Sequence, residues 1–315
     1  MMWTLALVQT QTAAAGHAAA KAEPFNAGET IIEHIADNAS QPIISLPKIL
    51  GIDFSITKHV FMLWLVAILV FVVITWVVRR YQKQGPVPSG LGNVLEFVVE
   101  WIRDSIVLPN VGEKWVNTWA PLILTFFFFI FTANLIGLIP IFDVLKLLNH
   151  WVLHAGPDSM FGRLLEGGTT PTANFNVTAG LALITFTSII IAGSKAHGFL
   201  QHWKNIVPSG LAWPIYILLV PIEVLGMFVK PFALTMRLAA NMTGGHIAIL
   251  AVLSLVFLFA EMAKSALVGI AVGFAVSVPL AVGLSGLEII VVLVQAYVFT
   301  LLSAVFIGMV IHVHH

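Results

Sequence analysis

Cysteine is absent from this chain of 315 residues, and charged residues make up only 10% of it. The first absence excludes disulfide bonds, thiolate metal sites and a cysteine nucleophile. The second excludes an ordinary soluble domain, in which about 25% of residues are charged. Basic and acidic residues balance at 15 each, so no basic surface indicates a nucleic-acid partner. Hydrophobic residues, at 59%, dominate instead, as in an integral membrane protein.

The hydrophobic residues gather in long runs, which indicate membrane helices. The strands of a membrane barrel would alternate in character over about 10 residues. We therefore predict an all-α polytopic membrane protein in which residues 58–311 form a single membrane domain. Five spans are predicted, over about 58–78, 115–139, 176–195, 209–260 and 266–311. An amphipathic helix over 89–107 is predicted to lie in the membrane surface, or else to pack on another subunit.

The segments outside the spans indicate the orientation. Basic residues follow the first span at Arg79 and Arg80 and end the third at Lys195, so these ends face the cytoplasm by the positive-inside rule. The N-terminus is then outside and the C-terminus cytoplasmic. Residues 1–57 are predicted to form an extramembrane arm, whose first part is either a cleaved signal or simply more of the arm. Residues 140–173 are predicted to form an external loop.

A single arginine, Arg237, lies within an apolar run from 206 to 260. A charge at membrane depth costs about 2.5–3.5 kcal/mol on insertion scales, so its retention indicates a function. Glu223 precedes it by 14 residues and Asn241 follows it by four, offsets that bring both within about 40° of Arg237 on a helix. This face is a candidate site. The alternative is an Arg237–Glu223 ion pair that only neutralises two buried charges.

The last two spans are separated only by a polar break at 261–265, which predicts a hairpin. Residues at equal depth in an antiparallel hairpin have nearly constant index sums. Arg237 and Gln295 sum to 532, and His246 and Glu288 sum to 534, so one register brings both polar pairs to matching levels. Arg237 would lie about 44 Å from the turn, whereas the hydrocarbon core is about 30 Å thick. We therefore predict a long, strongly tilted helix pair.

These residues carry a resemblance to a known family. The segments KPFALTMRLAANMTGGH at 230–246 and LEIIVVLVQAYVFTLL at 287–302 resemble subunit a of the F-type ATP synthase, the membrane stator that conducts protons past a rotating c-ring. TANLIGLIP at 132–140 and NFNVTAGLAL at 174–183 support the resemblance, which covers roughly 58–310. The first 55 residues and much of the predicted loop do not match the shared pattern.

The resemblance implies roles for the polar residues. Arg237 matches the essential arginine of the family, Gln295 its partner glutamine and Asn241 the motif asparagine. The polar positions of the family's two half-channels match Glu223, His246 and Glu288. In this mechanism the arginine separates the half-channels and drives deprotonation of a carboxylate on the rotor.

The residues taken by themselves leave other roles open. A histidine beside a buried carboxylate can relay protons, but His246 and Glu288 can also simply fasten the hairpin. Gln295 either positions Arg237 by a hydrogen bond or packs the two helices together. Asn241 either belongs to the site or stabilises helix contacts.

The resemblance also implies partners: a c-ring of proteolipid subunits, b-type peripheral-stalk subunits, the lipid bilayer, and protons as the transported ion. It implies no catalytic residue, no cofactor, and a location in the bacterial inner membrane. The histidines at 150 and 154, and those at 312, 314 and 315, lack the further ligands of a metal site, so no metal is predicted. The sequence has no internal repeat, which argues against a secondary transporter.

Overall fold

The computed structural model of the chain describes residues 55–84, 90–139, 170–205 and 213–312, together with Leu145 and Asn149. Nearly all of the predicted arm over 1–57 and most of the predicted loop over 140–173 lie outside these residues. The histidines at 150, 154, 314 and 315 also lie outside them. Within the described ranges the chain is helical almost throughout, as the long apolar runs predict.

The described residues form seven helices. In chain order they are α1 (Lys58–Gln84), α2 (consecutive segments Leu91–Ile102, Arg103–Val107 and Leu108–Val111), α3 (Glu113–Leu138), α4 (Phe175–His197), α5 (Phe199–Lys204), α6 (Trp213–Met262) and α7 (Ala266–Ile311). A 3₁₀ turn, Pro171–Ala173, precedes α4. Five of the helices, all but α2 and α5, are long and apolar enough to cross a membrane. This confirms the prediction of an all-α polytopic membrane protein with about five spans.

Helix α2 is the amphipathic helix expected from the sequence, interrupted by a π-helical turn at Arg103–Val107. From this turn onward its apolar side chains, such as Ile106 and Val111, are buried where α2 contacts α3 and α7. Earlier in the helix, Val94 and Phe97 remain exposed. One side of α2 is therefore covered by the chain itself. Its location in the membrane surface stays a prediction.

Helices α6 and α7 form the predicted antiparallel hairpin. Helix α6 ends at Met262, and the chain turns through Lys264, whose φ is 50°, before α7 begins at Ala266. Close to the turn the helices touch, since a Cβ added to Gly269 would lie 2.5 Å from the Ala260 Cβ. Their 50 and 46 residues give lengths of about 75 and 69 Å, more than twice the hydrocarbon core of about 30 Å. Helices of this length fit within a membrane only when strongly tilted.

The core lies where the second half of α7 packs against α2, α3 and α4. Phe126 of α3 meets Phe299 of α7 edge-on, with ring centroids 5.4 Å apart. Gly308 lets α7 approach α2 closely, because a Cβ at that position would overlap the carbonyl of Asn110. Helix α6 contributes little to this core, so most of its surface faces outward.

Candidate functional site

Arg237 lies midway along α6, and its side chain is exposed. The residues of α6 that the chain buries are Leu234, Thr235, Leu238, Ala239 and Met242. At 100° per residue they form one face, centred roughly 130° around the helix from Arg237. Asn241, one turn after Arg237, is exposed on the same side. The arginine face therefore points away from the rest of the chain.

Small residues surround Arg237 on its exposed face. Ala233, Ala240 and Gly244 all lie within about 60° of it around the helix, and all are exposed. A Cβ added to Gly244 would meet no atom within 4 Å. Small side chains allow another helix to approach closely in a membrane. The surface beside the arginine is thus open and nearly flat.

The alternative of a neutralising ion pair between Arg237 and Glu223 is excluded by geometry. Both residues are described, and they stand 14 positions apart on one continuous helix. At 1.5 Å per residue they are separated by about 21 Å along its axis. An ion pair requires a separation of about 4 Å. The charge on Arg237 is therefore not neutralised by Glu223.

On the opposite side of α6, His246 meets Glu288 of α7, as the index sums predict. The His246 Nδ1 lies 3.7 Å from Glu288 Oε1. The Glu288 side chain is 4% exposed, and within the described chain its two carboxylate oxygens accept no hydrogen bond. Gly245 makes room for the carboxylate, since a Cβ there would lie 2.8 Å from Oε1. The structure thus places a histidine nitrogen and a buried carboxylate oxygen close enough for a proton to pass between them after a small movement.

A polar segment before α4, missed in the sequence, completes this side of the site. The hydroxyl of Thr170 lies 2.6 Å from His246 Nε2. Thr172 donates a hydrogen bond to the Asn134 side chain of α3, and Thr243 of α6 donates one to the carbonyl of Ala173. Asn134, a buried polar residue near the end of the second predicted span, was the sequence feature that could have indicated this segment. The threonines carried no signal, because their approach depends on how the segment folds back.

Gln295 follows Glu288 by seven residues and therefore lies on the same face of α7, about 10 Å further along. It is buried, with 7% of its surface exposed. The register set by the His246–Glu288 contact brings it level with Ala239 of α6, which is also buried. Arg237 is at nearly this level but on the exposed side of its helix. Whether Gln295 positions Arg237 stays a prediction.

Glu223 lies toward the other end of α6 and lines a cavity of about 300 Å³. The polar groups that share this cavity are those of His202, Asn205, Lys230 and His312. Its apolar walls come from α4, α6 and α7. The Lys230 ammonium lies 5.6 Å from the centre of the Phe306 ring, in a cation–π contact. This second polar site is separated from the His246–Glu288 pair by more than 30 Å of helix, about 1.5 Å for each residue.

His202 of α5 is the most buried polar group of this cavity, at 3% exposure. Its ring packs on Gly193 of α4, where an added Cβ would overlap the imidazole. Burial, aided by the neighbouring His197, lowers the pKa of His202 below its ordinary value. His197 itself contacts the carbonyl of Ile311 at 3.1 Å. The short helix α5 is thus held against the end of α4, which is in turn bonded to the end of α7.

Comparison with known proteins decides the family. A family profile described as "ATP synthase A chain" matches residues 60–308. The chain is 38% identical over 305 residues to "ATP synthase subunit a 2" of Chlorobium luteolum, with 94% of this chain and 77% of the relative covered. It is 40% identical over 309 residues to the protein of the same name from Chlorobaculum tepidum, with 94% and 76% covered.

The chain belongs to the ATP synthase A chain family. A relative from Chloroherpeton thalassium, "ATP synthase subunit a", is 38% identical over 277 residues, with 85% of this chain and 71% of the relative covered. Membership in the family makes the chain a proton-translocating component of an ATP synthase complex. The five membrane-capable helices among the described residues agree with a bacterial membrane protein. The resemblance carried by the two hairpin motifs is confirmed.

Proposed function

We propose that this chain is the ion-conducting stator subunit of an F-type ATP synthase, which offers two proton half-channels to a rotating c-ring. In this proposal Arg237 separates the half-channels and drives deprotonation of the rotor carboxylate. The c-ring and b-type peripheral-stalk subunits are its partners. The chain itself is non-catalytic. It lies in the bacterial inner membrane, with its N-terminus outside and its C-terminus in the cytoplasm.

The observation that carries the proposal is the exposure of Arg237 on a face of small residues. A guanidinium left without an acidic partner in its own helix, on a membrane-capable span, calls for an anion supplied from outside the chain. Ala233, Ala240 and Gly244 allow a partner helix to come close enough to supply one. A carboxylate on a small rotor subunit meets both requirements.

The two buried polar sites support separate routes for protons. Along α6, His246 lies about 14 Å beyond Arg237, and Glu223 lies about 21 Å before it. Arginine is effectively never deprotonated in proteins, so Arg237 cannot carry a proton between them. Its charge also repels a proton moving directly past it. A proton that enters at one site must therefore travel with the rotor before it leaves at the other.

The electrostatics give the arginine its second role. A cation within about 4–6 Å of a carboxylate favours the ionised form, so Arg237 lowers the pKa of a rotor carboxylate that arrives beside it. A membrane potential supplies about 2.3 kcal/mol per charge per 100 mV. That energy is comparable with the cost of separating such an ion pair near a protein surface, about 4 kcal/mol at 4 Å. The pair is therefore strong enough to hold the rotor and weak enough to release it.

Replacement of Arg237 by Ala tests the proposal. We expect ATP-driven proton pumping in inverted membrane vesicles to fall to background, while the chain still assembles with an oligomer of small two-helix subunits. Assembly should persist because Arg237 is exposed and forms no hydrogen bond or ion pair with the described part of the chain. Arg103→Ala, which removes an exposed arginine whose carboxylate partner is its neighbour Asp104, is the matched control and should pump normally. Normal pumping by Arg237→Ala would contradict the proposed mechanism.

A further inference from the structure

Thr170 holds one nitrogen of His246 while the buried carboxylate faces the other. The Thr170 Oγ1 lies 2.6 Å from Nε2, a full hydrogen bond, and Nδ1 lies 3.7 Å from Glu288 Oε1. Thr170 is 1% exposed. The imidazole therefore stands between a hydroxyl and a carboxylate, with each ring nitrogen directed at one oxygen.

This arrangement selects one tautomer of the neutral ring. An ionised carboxylate only accepts hydrogen bonds, so the nitrogen that faces Glu288 is favoured as the N–H donor. The other nitrogen, Nε2, is then an acceptor, and the hydroxyl of Thr170 donates to it. A hydroxyl can also turn and accept. It therefore gives Nε2 a partner both when the ring is neutral and when it is imidazolium.

The segment that carries Thr170 is fixed on two sides. Thr172 is bonded to Asn134 of α3, and Thr243 of α6 is bonded to the carbonyl of Ala173. Gly137 of α3 provides the space for the side chain of Thr170, because a Cβ there would overlap that side chain and lie 2.8 Å from its Cα. The hydroxyl is thus placed by the same contacts that close this side of the bundle.

We propose that Thr170 is a positioning residue for proton transfer, which holds His246 with Nδ1–H directed at the Glu288 carboxylate. The proposal rests on the proposed function, in which this pair forms a half-channel. In the transfer the Nδ1–H bond breaks and the proton joins a Glu288 oxygen, while the Thr170 O–H bond breaks and its proton joins Nε2; a water molecule returns a proton to the hydroxyl oxygen. The ring stays neutral with one proton passed on, now as the Nε2–H tautomer, and returns to the Nδ1–H tautomer before the next transfer.

Thr170→Val tests this role, since valine keeps the shape and removes the hydroxyl. We expect ATP-driven proton pumping to fall roughly tenfold, the factor for one lost hydrogen bond of about 1.4 kcal/mol. The pH dependence of the pumping rate should change as well. Thr170→Ser keeps the hydroxyl and should restore both. Gly137→Ala should resemble Thr170→Val, since it displaces the same side chain from a different helix.

A double-mutant cycle separates positioning from packing. In a His246→Gln background, Thr170→Val should cause little further loss if the hydroxyl acts through the imidazole. An equal loss in both backgrounds, or no rescue by serine, would overturn the proposal and leave Thr170 as a packing residue. The proposed half-channel fails separately, if His246→Gln alone pumps at the normal rate.

Discussion

Gly245→Ala is a sharp test of whether the position of the Glu288 carboxylate matters. The new methyl group would lie 2.8 Å from Glu288 Oε1 and 3.1 Å from its Cδ, where ordinary contacts begin at 3.4 Å. The carboxyl group must therefore retreat by about half an ångström. It is the end of a side chain, so it moves more easily than the two helices part.

The size of the effect follows from this displacement. A misplacement of 1 Å in a reacting group can cost about 100-fold in rate, so half of that distance predicts a loss of roughly tenfold. The Nδ1–Oε1 separation, already 3.7 Å, changes with the carboxylate. Alanine is also a better helix former than glycine by about 1 kcal/mol, which works against unfolding of α6. The loss should therefore appear in transport and not in the amount of assembled protein.

Pumping by inverted membrane vesicles, normalised to the amount of the chain, measures the effect. Gly180→Ala in α4 is the matched control, since its added Cβ meets no atom within 4 Å. It should pump at the normal rate. The reasoning is refuted if Gly245→Ala pumps as well as this control while its hairpin remains intact. A loss of assembly would instead mean that the helices, and not the carboxylate, had moved.

Two other features can be tested in this cysteine-free chain. Val256→Cys combined with Gly273→Cys should form a disulfide across the hairpin, because the two Cβ positions are 3.9 Å apart and the usual distance is about 3.8 Å. Mass spectrometry of peptides from oxidised membranes should detect this disulfide. The control pair, Val256→Cys with Ala271→Cys, should form none, because Ala271 lies on another face of α7. His202→Gln should reduce the loss of folding stability that the original chain shows at acid pH. The lowered pKa of His202 means that the unfolded chain binds the proton more readily, so stability falls as the pH drops below about 6.5. Thermal unfolding of the purified complex at pH 7.5 and 5.5 should show a smaller difference for the variant than for the original chain, and an equal difference would contradict the argument.

Regular geometry explains which parts of the site could be predicted from the sequence. The face shared by Arg237 and Asn241 follows from 100° of rotation per residue, and both residues are exposed together. The meeting of His246 with Glu288 follows from antiparallel pairing across a short turn. Both inferences need only long, uninterrupted helices, and the apolar runs predict these well.

The register of the hairpin shows the limit of predictions that rest on regular helix geometry. Val256 and Gly273 touch near the turn and sum to 529, whereas His246 and Glu288 sum to 534. Between the two contacts α7 contains a π-helical turn, Gly273–Ser277, which packs more residues into a given length of helix and so accounts for part of this change. No pattern in the sequence indicated this turn. A single index sum therefore describes the hairpin only to within a few residues.

Contacts made by folded-back segments could not be predicted at all. Thr170 reaches His246 across 76 positions of sequence, through a segment without periodicity. The burial of His202 depends on Gly193 lying beneath its ring, which is a property of how α5 folds onto α4. Local rules place residues on a face of their own helix, but they do not determine which distant segment covers that face.

The nine-position step from Arg237 to His246 spans about two and a half turns of helix, which places the two side chains on opposite faces of α6. This half-turn offset suits two opposite requirements. A fixed charge that acts on a moving partner must be exposed, whereas a relay that handles single protons must be shielded from bulk water. Placed on one face, the arginine would lie beside the relay, and its charge would favour the ionised form of Glu288 and hinder a proton on His246. Placed on opposite faces and about 14 Å apart, the two groups share one helix while each keeps its own environment. The half-turn offset is therefore a requirement of the proposed mechanism. A shift of the arginine to position 238, on the buried side of α6, should abolish pumping even though the charge is retained.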